Sequence, residues 1–134
     1  ALTQYSDIYM PGARRFDVGE KGSRNVLPGS IAALEQLKSW GIENIAATLA
    51  KTNATIIDCL VKLGFGIPAA EQRSQHMFGA RLPSAFQGNL VADLKHRSIY
   101  ISQRGNALRF APYLHIKDHD VERLLDALRA LVPN

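Results

Sequence analysis

The stretch SIYISQRGNALRFAPYLHIKDHDVERLLDALRALV, residues 98–132, contains the signals that decide the fold of this 134-residue chain. Apolar and polar residues alternate on both sides of an Arg-Gly-Asn turn, which predicts two short strands at residues 99–102 and 108–111 that pair as a hairpin. Apolar residues then recur every three or four positions. This spacing predicts a closing amphipathic helix with Asp118 as its N-cap.

Arg109 lies in the middle of the second predicted strand, between Leu108 and Phe110. A guanidinium on a partly buried strand needs an anionic partner, because an unpaired buried charge is costly. Two interpretations stay open at this point: an ion pair within the protein, or the carboxylate of a bound ligand. A planar guanidinium suits the second, since it donates two parallel hydrogen bonds to a carboxylate. Arg104, in the turn, is expected to be exposed to solvent.

The residues upstream predict two long helices, a short helix and little strand. Apolar periodicity places the long helices at about residues 28–40 and 42–63, and Gly41 and Gly64 follow them as terminators. One or two short strands are expected within residues 64–68 and 76–82, and a short helix at residues 89–95. The order of these elements predicts an α+β fold, a two-layer domain with a short, mainly antiparallel sheet and helices packed on one face.

Composition predicts an ordinary soluble domain. Apolar residues make up 46% of the chain and charged residues 21%, and no apolar run approaches the ~20 residues of a membrane span. The net charge is +4, but the basic residues do not cluster, so nucleic acid is not an expected partner. Cys59 is the single cysteine and falls in a helical apolar pattern, which predicts a buried, unpaired thiol.

Residues 1–25 are predicted to form a loop segment, and residues 26–134 a small domain. Pro11-Gly12, Gly19 and Gly22 punctuate the first segment, and a loop of this length is unusual unless it is functional or packs on something else. The chain begins at Ala1 without a methionine. We therefore expect it to be a piece of a longer protein in which the first segment contacts a further, larger domain.

The sequence contains no complete catalytic or metal-binding motif. The four histidines are scattered, and none has the spacing of a zinc site, so capping or solvated histidines are expected and no metal. A nucleophile elbow and a phosphate-binding glycine loop are also missing. No residue of the chain is assigned a catalytic role.

Three stretches nevertheless resemble the C-terminal part of class V aminotransferases, which are fold-type I pyridoxal-phosphate enzymes. They are YMPGARRFDVGEKG (residues 9–22), PGSIAALEQLKSWGIENI (28–45) and RGNALRFAPYLHIKDHDVERLLDAL (104–128). They follow one another in the family's order, and the resemblance is greatest to the group similar to isopenicillin N epimerases.

This resemblance implies that Arg109 binds the α-carboxylate of an amino-acid substrate. It also implies a cytoplasmic homodimer, with pyridoxal 5′-phosphate held by a large domain of the same polypeptide. The Schiff-base lysine of the family belongs to that domain, so the present chain alone is expected to be inactive. A stand-alone protein-interaction module without a catalytic role is the alternative, and a basic nucleic-acid module a weaker one.

The chain departs from the family pattern at two places. Many relatives carry a threonine at the position of Glu20, where it reaches the cofactor phosphate of the other subunit, and a carboxylate there would repel phosphate. Glu20 and the nearby Asn25 are the two cofactor-binding candidates implied by the resemblance. Related cysteine desulfurases carry a cysteine on the loop before the arginine strand. The short segment before Arg109 has none, so desulfuration is not expected.

Overall fold

The computed structural model describes residues 8–16 and 25–132. The chain divides into two compact units between Ser39 and Trp40. Glu20 lies outside the described residues, so the structure gives no information on its predicted role.

The first unit contains a 3-10 helix, Gly12–Phe16, and all but the last residue of helix α1, Leu27–Trp40, which begins one residue before its predicted start. No residue of either helix is buried. The apolar stripe of α1 is open to solvent, since Leu27, Ile31 and Leu34 are 58%, 48% and 65% exposed. Large apolar side chains in this unit therefore remain uncovered.

The second unit contains the sheet and three further α-helices. Helix α2 is continuous over Ile42–Lys62, close to its predicted range. The other elements, in chain order, are a 3-10 turn at Ala70–Gln72, β1 (Phe78–Arg81), α3 (Leu90–His96), β2 (Ser102–Arg104), β3 (Ala107–Phe110) and α4 (Asp118–Leu131).

The three strands form one antiparallel sheet in the order β1-β3-β2. In β3, Leu108 pairs with Ala80 and Phe110 with Phe78, and all four side chains are buried on the same face. The rings of Phe78 and Phe110 stack with centroids 5.1 Å apart and planes inclined by 7°.

The helices cover this apolar face and leave the other face open. Leu60 from α2, Leu94 from α3 and Leu128 from α4 are each 0% exposed and belong to the same core as the sheet residues. Helix α4 contacts both α2 and α3. The predicted α+β fold of two layers, with a small antiparallel sheet and helices on one face, is therefore confirmed.

Cys59 is buried at 6% exposure and unpaired, as the apolar pattern around it predicts. None of the helices in the described ranges has the length and apolar character needed to cross a lipid bilayer.

Two sequence predictions were wrong in detail. Residues 99–101 are not a strand, because the N–H of Ile99 still donates to the carbonyl of Leu94 and closes the end of α3. Ser98 has a φ of 58°, in the left-handed region, and reverses the chain there. Asp118 is the first residue of α4, and Lys117 occupies the N-cap position.

We predict that Leu60→Ala lowers the free energy of unfolding by about 2–5 kcal/mol, because it leaves a cavity in the centre of the core. Val61→Ala is the matched control, since Val61 is the next residue of α2 and is 56% exposed. The control should change the free energy by less than about 0.5 kcal/mol. Urea denaturation followed by circular dichroism measures both, and equal effects would contradict the packing described.

Candidate functional site

The face of the sheet turned away from the helices carries Arg109. Successive side chains of a strand point to opposite faces, so Leu108 and Phe110 are buried while Arg109 between them is exposed. The expectation that Arg109 lies partly buried among apolar neighbours was therefore wrong. Its side chain is accessible to water and to a ligand.

Small residues surround Arg109 on this outer face. Its direct partners are Gly79 on β1 and Ser102 on β2. In the next row of the sheet, Ala107 lies between Arg81 and Arg104. Directly paired residues lie about 5 Å apart and diagonal ones about 7–8 Å apart. The long arginine side chains on this face therefore have short side chains as their direct neighbours.

An open cavity of about 460 Å³ lies against this outer face, and we call it the arginine cavity. Three arginines line it: Arg104 from β2, Arg109 from β3 and Arg73 from the segment between α2 and β1. The remaining lining residues are Pro68, Gln72, Ser74, Met77, Phe78, Gly79, Ala107 and Leu108.

The charge of the arginine cavity is not balanced within the described part of the chain. None of its lining residues is a carboxylate, and the ion pairs found in residues 8–16 and 25–132 both lie on α4. Arg104 makes a 3.3 Å hydrogen bond from its Nη1 to the carbonyl of Gln103. The three arginines therefore line one cavity, and no carboxylate of the described residues is paired with any of them.

A buried hydrogen bond positions the segment that carries Arg73. Asn53 of α2 is 4% exposed and donates from its Nδ2 to the carbonyl of Gln75 at 2.7 Å. The Ser74 hydroxyl donates to the carbonyl of Met77 at 2.9 Å. These contacts attach the segment to α2 on one side and hold its turn on the other. Sequence periodicity gives no sign of this role for Asn53, since its partner is 22 residues away.

Arg109 also lines a second cavity, of about 420 Å³, next to the start of α4. We call this the α4 cavity. Its polar side chains include His115, Asp120 and Arg123, and its apolar wall includes Ile99 and Phe110. Arg109 thus lines both the arginine cavity, whose charged lining residues are all cationic, and the α4 cavity, whose lining includes both signs of charge.

Asp120 has a pKa below its usual value. The main cause is a hydrogen bond that its Oδ2 accepts from the backbone N–H of Lys117 at 3.1 Å. Desolvation opposes this shift, and the charges of His119, Arg123 and Lys117 lower the pKa further. The ionised carboxylate therefore stabilises the start of α4.

The remaining predicted site residue in the described ranges is Asn25, which is exposed in the first unit. Its predicted contact with a cofactor stays a prediction. All four histidines are exposed. Within the described residues, no three His, Cys, Asp or Glu side chains come together as a metal site.

Comparison with known proteins points to aminotransferases. The chain is 33% identical over 107 residues to histidinol-phosphate aminotransferase 2 of Thiobacillus denitrificans, covering 77% of this chain and 28% of that protein. It is 29% identical over 136 aligned positions to an uncharacterised aminotransferase of Schizosaccharomyces pombe, covering 99% of this chain and 33% of the relative. No protein-family model matches.

The fold is similar to that of a solved NifS-like protein. The TM-score is 0.73 with 18% sequence identity, over 92% of this chain and 37% of that one. The chain therefore spans about a third of the length of the proteins it matches. The similarities support the resemblance to the aminotransferase family. The isopenicillin N epimerase-like subgroup stays a prediction.

We predict that Asp120→Asn destabilises the chain at neutral pH and has little effect in acid. Because the folded-state pKa lies below the unfolded value, the stabilisation is complete above the unfolded pKa, about 3.9 for aspartate. It is lost as the pH falls through the lower, folded-state pKa. Thermal unfolding of both proteins between pH 7 and pH 2 measures this difference.

Asp118→Asn is the matched control for Asp120→Asn. Asp118 also lies in the first turn of α4, but the hydrogen bond from the Lys117 N–H goes to Asp120. A pH dependence that is the same for both variants would show that helix-end charge, and not this hydrogen bond, stabilises α4.

Proposed function

We propose that this chain is the C-terminal small domain of a pyridoxal-phosphate-dependent, class V aminotransferase-like enzyme that acts on an amino acid. Residues 26–134 form the small domain in this proposal, and residues 1–25 contact a large domain of the same polypeptide. Arg109 binds the substrate α-carboxylate.

The observation that carries this proposal is the setting of Arg109. Its side chain is exposed on the open face of the sheet, it lines two cavities, and no carboxylate within the described residues pairs with it. A guanidinium held on a strand between small neighbours is suited to bidentate binding of a carboxylate. The sequence similarity to two aminotransferases supports an amino acid as the source of that carboxylate.

The described residues do not by themselves fit the cofactor. Neither cavity is lined by a lysine, and the five lysines of the described ranges are all exposed. Pyridoxal phosphate needs a lysine to hold its aldehyde and a carboxylate beside its ring nitrogen, and it then serves as an electron sink. We therefore assign the cofactor to the large domain, and the chain alone is inactive in this proposal.

The uncovered apolar stripe of α1 supports a missing neighbour. Leu27, Ile31 and Leu34 are each about half exposed or more, and contiguous apolar surface of this kind marks an interaction site. Two thirds of the length of the matched relatives lies outside the region shared with this chain. We propose that part of that length, the large domain, packs on α1.

The alternative interpretation, a stand-alone protein-interaction module, also explains an exposed apolar helix. It gives no account of the similarity to aminotransferases or of unpaired arginines over a cavity, so the enzyme interpretation is favoured. Desulfuration is not proposed, although the solved structure of similar fold is named NifS-like. The β2–β3 hairpin has no cysteine, and Cys59 is buried in α2.

We predict that Arg109→Gln in the complete enzyme weakens amino-acid binding by about 2–3 kcal/mol, or roughly 30- to 150-fold in Kd, because a charged hydrogen-bond pair is lost. Arg109→Lys should recover only part of this, since an ammonium group cannot form the bidentate pair. The change in cofactor absorbance on titration with the amino acid measures Kd.

Arg97→Gln is the control for Arg109→Gln. Arg97 is exposed at the end of α3 and lines neither cavity, so its loss removes the same charge from elsewhere on the surface. Equal Kd values for the Arg109 variants and the wild type would remove Arg109 from the substrate site.

We further predict that Leu34→Lys leaves the unfolding of the present chain unchanged within about 0.5 kcal/mol, because Leu34 is already exposed. In the complete polypeptide the same change should cost about 1.5–3 kcal/mol, the value of burying a leucine, with a charge buried in addition. Thermal unfolding of both proteins measures the two effects.

Gln36→Lys is the control for Leu34→Lys, since it adds the same charge at another exposed position of α1. If Leu34→Lys also has no effect in the complete polypeptide, the large domain does not cover this stripe, and the proposed domain contact is wrong.

A further inference from the structure

A third cavity, of about 150 Å³, lies between α2 and the segment that precedes β1, and we call it the Asn53 cavity. Its lining residues are Ala50, Asn53, Ala54 and Ile57 from α2, Ala70, Arg73, Ser74 and Gln75 from the segment, and Phe78 from β1. Ala54, Ala70 and Ser74 are exposed, so the cavity is reached from solvent. Arg109 does not line it, and the proposed function assigns it no role.

The side-chain amide of Asn53 is only half paired. The residue is 4% exposed, and its Nδ2 donates to the carbonyl of Gln75 at 2.7 Å. This bond fixes the orientation of the amide, because only the nitrogen can donate to a carbonyl. Among the buried side-chain nitrogen and oxygen atoms in the described ranges, the Oδ1 of Asn53 alone has no hydrogen-bond partner. A buried acceptor left unpaired is unfavourable, so a donor supplied from outside would be stabilised here.

The other polar groups of the Asn53 cavity add a donor and a second acceptor. Arg73 is half-buried, and its guanidinium can only donate. The hydroxyl of Ser74 donates to the carbonyl of Met77 at 2.9 Å, which leaves its oxygen free to accept. The rest of the lining consists mainly of alanines and two larger apolar residues. A matching ligand therefore has a small apolar body and presents both a donor and an acceptor.

These requirements exclude charged ligands. An ammonium group could donate to Asn53, but the charge of Arg73 would repel it. A carboxylate could pair with Arg73, but it would place an acceptor against the Oδ1 of Asn53. A primary carboxamide meets both requirements, since its NH₂ group donates and its carbonyl accepts. It also fits by size, because a cavity of about 150 Å³ holds a molecule as large as benzene.

We infer that the Asn53 cavity binds a primary carboxamide, whose NH₂ group donates to the Oδ1 of Asn53 and whose carbonyl accepts from Arg73. Glutamine and asparagine carry this group, as free amino acids or as residues of a partner polypeptide. Arg73 lines the arginine cavity as well, but the carboxamide site does not include Arg109 and does not rest on the proposed function.

The test is an NMR titration of the present chain with propionamide, butanone and propionate, which are similar in size and shape. Shifts of the Asn53 side-chain NH₂ and Arg73 Nε–H signals report binding. Propionamide should bind at least about tenfold more tightly than either of the others, which corresponds to about 1.4 kcal/mol. Butanone has no donor for the buried acceptor, and propionate adds a charged acceptor in the donor's place.

Ala54→Leu should reduce the affinity for propionamide at least about tenfold, because a larger side chain fills the cavity while its polar groups remain. Ala47→Leu is the matched control and should retain the affinity within about twofold. Ala47 is exposed two turns earlier on α2 and does not line the cavity.

Two further variants test the polar contacts. Asn53→Ala should remove the preference for propionamide over butanone. If this variant does not fold, because the bond to Gln75 is lost as well, Ala54→Leu still decides the outcome. Arg73→Met should weaken propionamide binding at least about fivefold, since a charge-assisted hydrogen bond to the carbonyl is lost.

Equal affinity for propionamide and butanone, or no shift with either, would overturn the inference, because the buried acceptor would then select no donor. An equal loss in Ala54→Leu and Ala47→Leu would place the binding outside the cavity and would also overturn it.

Free L-glutamine and a glutamine blocked by acetyl and methylamide groups distinguish the two sources of the carboxamide. Tighter binding of free glutamine supports a free amino acid, and equal or tighter binding of the blocked form supports a residue of a polypeptide. Failure of both to displace propionamide would contradict the inference, since the cavity would then accept neither source.

Discussion

The register of β3 against its two neighbours is the constraint on which the rest of the structure depends. Pairing of Phe78 with Phe110 and of Ala80 with Leu108 places four apolar side chains on one face. A shift by one residue would turn them to solvent and Arg109 into the core. Such a shift would expose several buried apolar side chains and bury an unpaired charge. Both changes cost free energy, and this cost stabilises the observed register.

The same register produces the candidate site. Once the core face is set, the outer face must present Arg81, Arg104 and Arg109, separated by Gly79, Ser102 and Ala107. The short hairpin between β2 and β3 fixes the position of Arg104, because only Gly105 and Asn106 separate Arg104 from Ala107. Gly105 has a φ of 57°, which allows the tight turn. A longer loop would move Arg104 out of its diagonal relation to Arg109. Core packing and the placement of Arg109 on the outer face are thus two consequences of one pairing pattern.

Most of the fold was predictable because its signals are local. The helical period of α2 and α4 and the Arg-Gly-Asn turn are contained in short windows of sequence, and these elements were confirmed within a few residues. The start of β2 was predicted too early, because the bond from Ile99 to Leu94 depends on how α3 ends. The presence of Arg73 and Arg109 in the lining of one cavity was not predictable, since the segment of Arg73 is held by a contact between Asn53 and Gln75. Only the folded chain brings these two together.

The burial of Arg109 was predicted wrongly for a related reason, and the correction changes the physical argument. A buried arginine would have needed its partner in order to fold, so its pairing would have been part of the protein's stability. An exposed arginine among other arginines has no such need, and the fold tolerates it unpaired at the cost of moderate, solvent-screened repulsion. That repulsion is relieved when an anion binds. The unfavourable interaction of Arg109 with its diagonal neighbours Arg81 and Arg104 in the free chain would therefore add to the driving force for binding an anion on this face.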